Sequence, residues 1–545
     1  MANKQIYNQT KSEYRPSTMP GFLVSCYLIL MFSAFPLFLT NQYAHARTDK
    51  YYFYLILSGL MIVSVVVTSL MDYFEEKRFR KPDPRFMPMS AADISFLCFY
   101  GFAAISTMLS DYPLNSFLGD FQGGGRNNGL LLMTVYLLVY LVITRRYVFK
   151  DYVIGIYLVF SSLVAFLAIV NYFFIDILGV YAGYLDLWKL FDGTPGKTNV
   201  IIDFGSTIGN KNLISAFMCM FLPIAVMSFV LIDKRWMRIL SGAAIGFAYC
   251  GLLCADSASG MLGLFAILPI MAIFASRRYT TLKWYLLALT ILFASSKLLR
   301  LFSLIMSDRS KGFEFMQESL IYGSAPYIMI VVFGILFILM QVFEKKLSPR
   351  YPQKAVTITL TVLTVGAVLA AIGAVVYYSF INPTAELNEN AAGLLRFDEN
   401  WGTHRGYYWI KGTEQYQRFS FLRKLFGYGP DSVYVVMEPL FSEIAARFDE
   451  GSTDCVHNEF LNYFITQGAL GLLAYLSLLG TVAVRALRRA KNNPMILIFL
   501  SAVICYAVQS VVNLYQPITT SLFFIFLSLT EALNRQTPLS SRKKA

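Results

Sequence analysis

Charged side chains are scarce in this chain of 545 residues, where Asp, Glu, Lys and Arg together make up 14% and hydrophobic residues 56%. So little charge excludes a soluble globular protein, and the apolar residues fall in blocks long enough to cross a bilayer. Cysteine offers no framework: Cys26, Cys98, Cys219, Cys250 and Cys505 lie inside apolar blocks and Cys254 at the end of one, leaving Cys455 in a polar loop without an obvious partner. Histidine occurs three times, as His45, His404 and His457. Internal repeats and low-complexity tracts are absent, which excludes a solenoid. Acidic residues are too few to balance the basic ones, and the formal net charge is +13. The basic residues cluster in short connections between apolar blocks, as membrane topology requires, so nucleic acid is not an expected partner.

The apolar blocks predict an all-α, polytopic transmembrane helical bundle of about 14 spans, with 12 to 14 allowed because the fourth (129–144) and ninth (283–296) are short. A cytoplasmic tail over 1–20 precedes eleven helices within 21–381, with outer loops at 110–128, 176–211 and 297–319. A large extracytoplasmic loop, 382–456, stands before the third-last span; three helices within 457–533 and a basic cytoplasmic tail, 534–545, complete the chain. Orientation follows from Lys and Arg: every even-numbered connection is basic, including Arg145, Arg146 and Lys150, Lys234 to Arg238, and Arg485 to Lys491, which places both termini inside. All three histidines then fall outside. The large loop is too short for an ordinary independent domain, and its aromatic content predicts short helices lying on the membrane surface. No outer loop carries a D-x-D pair or a His/Cys cluster of ligand spacing, so neither a metal nor a cofactor is expected.

Polar chemistry concentrates at Asp454 to Gly471, D-C-V-H-N-E-F-L-N-Y-F-I-T-Q-G-A-L-G. With Asp454 or Thr453 as N-cap, His457 falls in the first turn of a long apolar helix, where the helix dipole disfavours the imidazolium and leaves a proton acceptor. At 3.6 residues per turn, Gly468 and Gly471 return to the His457 face deeper in the helix and form a close-packing notch. Upstream, Gly123-Gly124-Gly125-Arg126-Asn127-Asn128-Gly129 joins backbone N–H groups that can approach an anion to a guanidinium fork, suited to a diphosphate or to lipid headgroups. Gly205-Ser206-Thr207-Ile208-Gly209-Asn210-Lys211-Asn212 offers hydrogen bonds to sugar or phosphate, with a helix N-cap as the plainer role of Asn210. In Cys254-Ala255-Asp256-Ser257, Asp256 either forms the turn or orients an acceptor hydroxyl.

His457-Asn458, nine residues, then Gly468-x-x-Gly471 resembles the H-[NSQ]-x9-G-x-x-G signature of the O-antigen ligase and O-antigen polymerase superfamily. Arg126-x-x-Gly129-Leu130-Leu131 entering a helix is similar to that family at the corresponding place, and so is the stretch around Asn210, with Lys211 where proline is usual and no arginine just upstream. Trp401 to Trp409, followed by Gly427-Tyr428-Gly429, resembles the family's R-x-x-x-W and G-x-G segments. All four regions fall outside in a topology derived without them.

The resemblance implies a GT-C-like bundle acting as a membrane glycosyltransferase at the outer face of the bacterial cytoplasmic membrane. The donor would be an undecaprenyl-diphosphate-linked oligosaccharide and the acceptor a glycan or lipid-linked sugar hydroxyl, among membrane lipids, with a flippase and a chain-length regulator as protein partners. It casts His457 as general base and Arg405 as the main diphosphate ligand, with Arg126, Lys211, Asn210, Asn458 and Trp409 binding substrate and the isoprenoid lying beside Gly468 and Gly471. Trp401, Tyr407, Tyr408 and Trp409 would stack on sugar rings or form an interfacial belt. The competing expectation is a lipid-linked oligosaccharide flippase or other transporter. Transporters place ionisable groups near the bilayer midplane, whereas Asp93, Asp176, Lys211, Asp256, Lys297 and Glu531 sit at the ends of the predicted spans.

Overall fold

A computed structural model describes residues 18–41, 45–76, 89–121, 125–180, 204–307, 312–448 and 451–538. Each of the fourteen apolar blocks is a helix: α1 Thr18–Leu37, α2 Ala46–Glu76, α3 Ala91–Leu109, α4 Leu130–Arg146, α5 Asp151–Tyr172, α6 Lys211–Leu231, α7 Arg235–Cys254, α8 Ala258–Ala275, α9 Tyr279–Ile305, α10 Ala325–Val342, α11 Gln353–Val376, α12 Glu459–Arg489, α13 Ile496–Gln509 and α14 Pro517–Gln536. Among the described residues, twelve helices are long and apolar enough to cross a membrane, while α4 has 17 residues and α13 has 14. The chain is an all-α polytopic membrane protein. Strand pairing among the described residues is limited to Phe204–Gly205 against Gly209–Asn210.

Two expected boundaries move. The ninth helix is not short but runs for 27 residues. Lys297 and Arg300 interrupt the apolar run without ending the helix, because Lys297 Nζ donates to the carbonyls of Ile321 (2.8 Å) and Gly323 (2.9 Å), and Arg300 Nη1 to Tyr327 Oη (3.1 Å). The tenth span begins later than 320, since Phe315–Ile321 is a separate helix and α10 restarts at Ala325 with Pro326 in its first turn, where a missing N–H costs nothing.

Helices α6 and α14 form the centre, with their apolar windows wholly buried. Hydrophobic residues all round α6 account for this. On α14 two buried hydroxyls bond back within the helix, Ser528 donating to Phe524 O and Thr530 to Phe526 O. Its Phe524 stacks on Tyr136 of α4 at 4.4 Å and on Phe96 of α3 at 5.5 Å. Around this centre α3 packs along α12, with Phe99 against Tyr463 and Tyr475, both at 5.2 Å. Helices α10 and α11 lie at the periphery: α10 buries only Pro326 and α11 buries no residue.

Buried charge ties four helix ends together at the end of the bundle away from His457. Asp93 of α3 pairs with Arg145 of α4 (3.2 Å) and with Arg535 of α14. Glu531 of α14 accepts two bonds from Arg485 of α12, at 2.9 and 3.1 Å.

Between α11 and α12 the loop contains short helices, Glu389–Leu395, Trp401–Gln417, Phe421–Phe426, Val433–Met437 and Phe441–Phe448. They close over a small core of Tyr407, Tyr408, Val433, Met437, Ile444 and Val456 that also takes in Ile465 of α12.

Candidate active site

Asn458, not Asp454 or Thr453, caps α12: its side-chain oxygen accepts from Leu461 N at 3.0 Å. Asp454 is drawn off into an ion pair with Arg126 (2.5 Å), and the Thr453 hydroxyl donates to Cys455 O (2.8 Å). His457 therefore precedes the cap instead of lying in the first turn, with a left-handed φ of 52°. A non-glycine residue in that region carries strain that the surrounding structure must hold. The neutral imidazole expected from the helix dipole has another origin: burial first, then the Arg405 and Arg126 guanidiniums, push its pKa down to about 3. The Tyr408 ring lies 5.8 Å from the imidazole, and Nδ1 has no hydrogen-bond partner among the described residues.

Arg126 is held at both its backbone and its side chain. Its N–H donates to Asp431 Oδ2 (2.5 Å), and Asn128 N–H donates to the same oxygen (3.1 Å). Asn128 Nδ2 reaches Tyr515 O at 3.1 Å, which fixes the segment against the turn before α14. Asp431 is buried in the left-handed region at φ 61°. Burial pushes its carboxyl up to about 7, against the two N–H bonds and Arg126, which pull it down. Asp431 was not among the expected site residues, since Gly429-Pro430-Asp431 reads locally as a turn. Nothing nearby in sequence signals its role, because the N–H it binds is 305 positions away.

Arg405 projects from the helix Trp401–Gln417, whose first turn is distorted by positive φ at Gly402, Thr403 and His404. Nη1 donates to Gly402 O at 2.5 Å, Nε has no partner, and among the described residues no carboxylate pairs with this guanidinium. Burial holds its pKa below the ordinary arginine value. Four residues on, and so on the same helix face, Trp409 packs against Trp401 (5.2 Å) and Phe397 (5.9 Å), its Nε1 also without a partner. Arg126 Nε is a further unpartnered donor. Arg405 and Arg126 both act on the His457 imidazole, and their unpartnered Nε atoms leave donors there for an acceptor-rich ligand.

Lys211 stands 3.5 Å from Glu314, whose backbone N–H donates to Asp256 Oδ1 at 2.9 Å. Asp256 thus pins a second segment as well as forming its turn. Asn210 is the N-cap of α6, accepting from Asn212 N at 2.8 Å. Gly123 and Gly124 lie outside the described residues.

The helix α12 does not carry Gly468 and Gly471 on one face with His457. Gly468 adopts φ 71°, ψ −175°, which breaks the helix. Into the break comes the segment after Phe421–Phe426: Tyr428 N–H donates to Ile465 O (3.2 Å), Gly429 N–H to Thr466 O (2.9 Å), and Ser106 Oγ also to Thr466 O (2.7 Å). A β-carbon at Gly468 would lie 2.5 Å from Phe426 N and closer still to the Leu425 carbonyl; one at Gly471 would lie 2.5 Å from Gln467 Cβ. The close approach expected at Gly468 is therefore present, and the chain's own backbone fills the notch at that residue.

Residues 320–476 match the family model described as O-antigen ligase. The stretch takes in α10, α11, the loop helices and the N-terminal part of α12, and with them Arg405, Trp409, Asp431, Asp454, His457, Asn458, Gly468 and Gly471. Arg126, Asn210 and Lys211 lie outside it. No curated protein matches the chain.

Proposed function

With an O-antigen ligase domain at residues 320–476 setting the chain within the O-antigen ligase and polymerase superfamily, we propose that it transfers a glycan from an undecaprenyl-diphosphate carrier to a sugar hydroxyl at the outer face of the bacterial cytoplasmic membrane. His457 takes the proton of the acceptor hydroxyl as its oxygen bonds to the anomeric carbon. The bond from that carbon to the diphosphate breaks, and the negative charge left on the diphosphate falls to Arg405 and Arg126. Lys211 adds a point charge, shared with Glu314, while Asn458 fixes the turn that presents His457 and Trp409 offers a ring and an N–H to the sugar.

The observation that carries this function is the half-buried His457, acted on by the Arg405 and Arg126 guanidiniums, with His457 Nδ1 and both Nε atoms lacking a partner among the described residues. Burial and, after it, Arg405 and Arg126 make the imidazole a weaker base than an ordinary histidine. A diphosphate seated between them cancels their field, so the basicity of His457 rises when the donor binds and not before.

The test is transfer by the purified protein given one undecaprenyl-diphosphate oligosaccharide. A ladder of repeat units marks a polymerase; no product until lipid A core is added, then a single addition, marks a ligase. Either product persisting at the wild-type rate in His457→Ala refutes the mechanism. Thiol labelling of single-cysteine variants should reach positions 126, 211 and 405 from outside and 146, 278 and 488 from the cytoplasm. Labelling of 405 from the cytoplasm alone would put the site on the wrong side.

A further inference from the structure

The helix Trp401–Gln417 has two working ends. Arg405 faces the His457 side, and ten residues later, about 15 Å along the axis at 1.5 Å per residue, Gln415 reaches the wall of a second recess. This cleft, of about 500 Å³, is lined by Gln415, Arg418, Phe419, Arg423, Tyr428 and Val436. One side is already satisfied: Arg423 pairs with Asp111 (2.5 Å) and lies 4.2 Å over the Tyr428 ring, and the Tyr428 hydroxyl donates to Asp111 (3.0 Å). Phe419 packs on the other side of this assembly, 5.4 Å from Tyr428.

Gln415 and the exposed Arg418 turn polar atoms to the cleft that no protein group occupies among the described residues. Among the described residues neither side chain makes a hydrogen bond or ion pair, although Gln415 is only 8% exposed. The Gln415 amide keeps its contact with the cleft, so a ligand there would exchange water for direct hydrogen bonds. An amide sets a donor beside an acceptor, which matches the adjacent hydroxyls of a pyranose. Phe419 and Val436 supply apolar surface for its C–H face. Arg418, with no carboxylate of its own, offers a planar fork suited to a carboxylate.

We propose that this cleft is a saccharide subsite that holds an acidic segment of the glycan, remote from the bond being formed. The proposal rests on the glycan-transfer function above. Gln415 binds vicinal hydroxyls, Arg418 binds a uronate carboxylate, and the Arg423–Asp111–Tyr428 assembly is the rigid wall that positions them.

Saturation-transfer NMR on the full-length protein in nanodiscs, with trigalacturonate, maltotriose and inorganic phosphate as probes, tests it. Trigalacturonate should bind, and Gln415→Leu and Arg418→Ala should each weaken it about tenfold or more, with thermal midpoints showing both variants folded. His457→Ala should leave this binding unchanged. Binding that survives both cleft substitutions, or that phosphate displaces as well as the sugar does, overturns the subsite; maltotriose binding equally well overturns its acidic preference. If the wild type binds trigalacturonate through Gln415 and Arg418 yet transfers no glycan, the transfer function fails while the subsite stands. Transfer without that binding does the reverse.

Discussion

Replacing Gly468 by alanine forces a methyl group into a place where three backbone atoms already stand. The residue sits at φ 71°, ψ −175°, a conformation nearly closed to L-residues, and the new β-carbon would meet Leu425 and Phe426, whose positions are set by the hydrogen bonds of Tyr428 and Gly429 to the carbonyls of Ile465 and Thr466. The backbone strain alone costs about 1–3 kcal/mol. Overlap with atoms that cannot rotate away adds about 1–3 kcal/mol, and weakening the two inserted hydrogen bonds adds about 1 kcal/mol each. The low end of these terms, a total of about 4 kcal/mol, already corresponds to roughly a thousandfold loss in the folded-to-unfolded ratio. The control is on the same helix: a β-carbon built at Gly480 meets nothing within 4 Å, and alanine is the better helix former. Thermal unfolding of the detergent-purified variants, followed by fluorescence-detected size exclusion, should show Gly468→Ala well below wild type and Gly480→Ala at or slightly above it. Equal midpoints for the two variants would mean that the loop segment does not lock into the helix break as described.

Arg405→Lys should lose at least about tenfold in turnover at normal protein level, because a planar two-point donor becomes a single point charge; wild-type turnover would remove Arg405 from the diphosphate site. Asp431→Asn keeps an oxygen for the N–H groups of Arg126 and Asn128, whereas Asp431→Ala strands both, at about 1–3 kcal/mol each, so thermal midpoints should rank Asn well above Ala. With its folded pKa raised to about 7 and an unfolded value of about 3.9, Asp431 binds more proton in the folded state, so its contribution falls as pH rises from about 4 through 7; Asp431→Asn should flatten that part of the midpoint-against-pH curve. Transfer activity should survive EDTA, and a loss restored by magnesium or manganese would contradict the metal-independent mechanism.

The spans were legible because crossing a bilayer requires long apolar runs, and those runs survive as α1 to α14. The end of α9 was not, because Lys297 and Arg300 look like a boundary until the carbonyls of Ile321 and Gly323 and the Tyr327 hydroxyl receive them. At the site, His457, Arg405 and Arg126 stood out as rare polar groups in polar loops, and the fold brings their charges to bear on one imidazole. The cap of α12 was misread since Thr453, Asp454 and Asn458 are all competent caps, and the choice is made by Arg126, 328 positions from Asp454. The break at Gly468 has no local cause either. A glycine in an apolar run permits a break without requiring one, and here the insertion of residues 427–429 makes it.

Arg145, Arg485 and Arg535 belong to the basic connections that decide which way each hairpin threads the bilayer, a decision taken while the helices are still entering it. In the finished chain those guanidiniums hold the carboxylates of Asp93 and Glu531. The same cations therefore act at two successive times, first as mobile charge that retains a loop on its side, then as counter-ions that let acidic residues sink between helix ends. Order of synthesis favours this for Glu531, since Arg485 precedes it along the chain, whereas Asp93 precedes both of its arginines. When α14 enters last and carries its own carboxylate inward, the arginine that receives it is already waiting on α12.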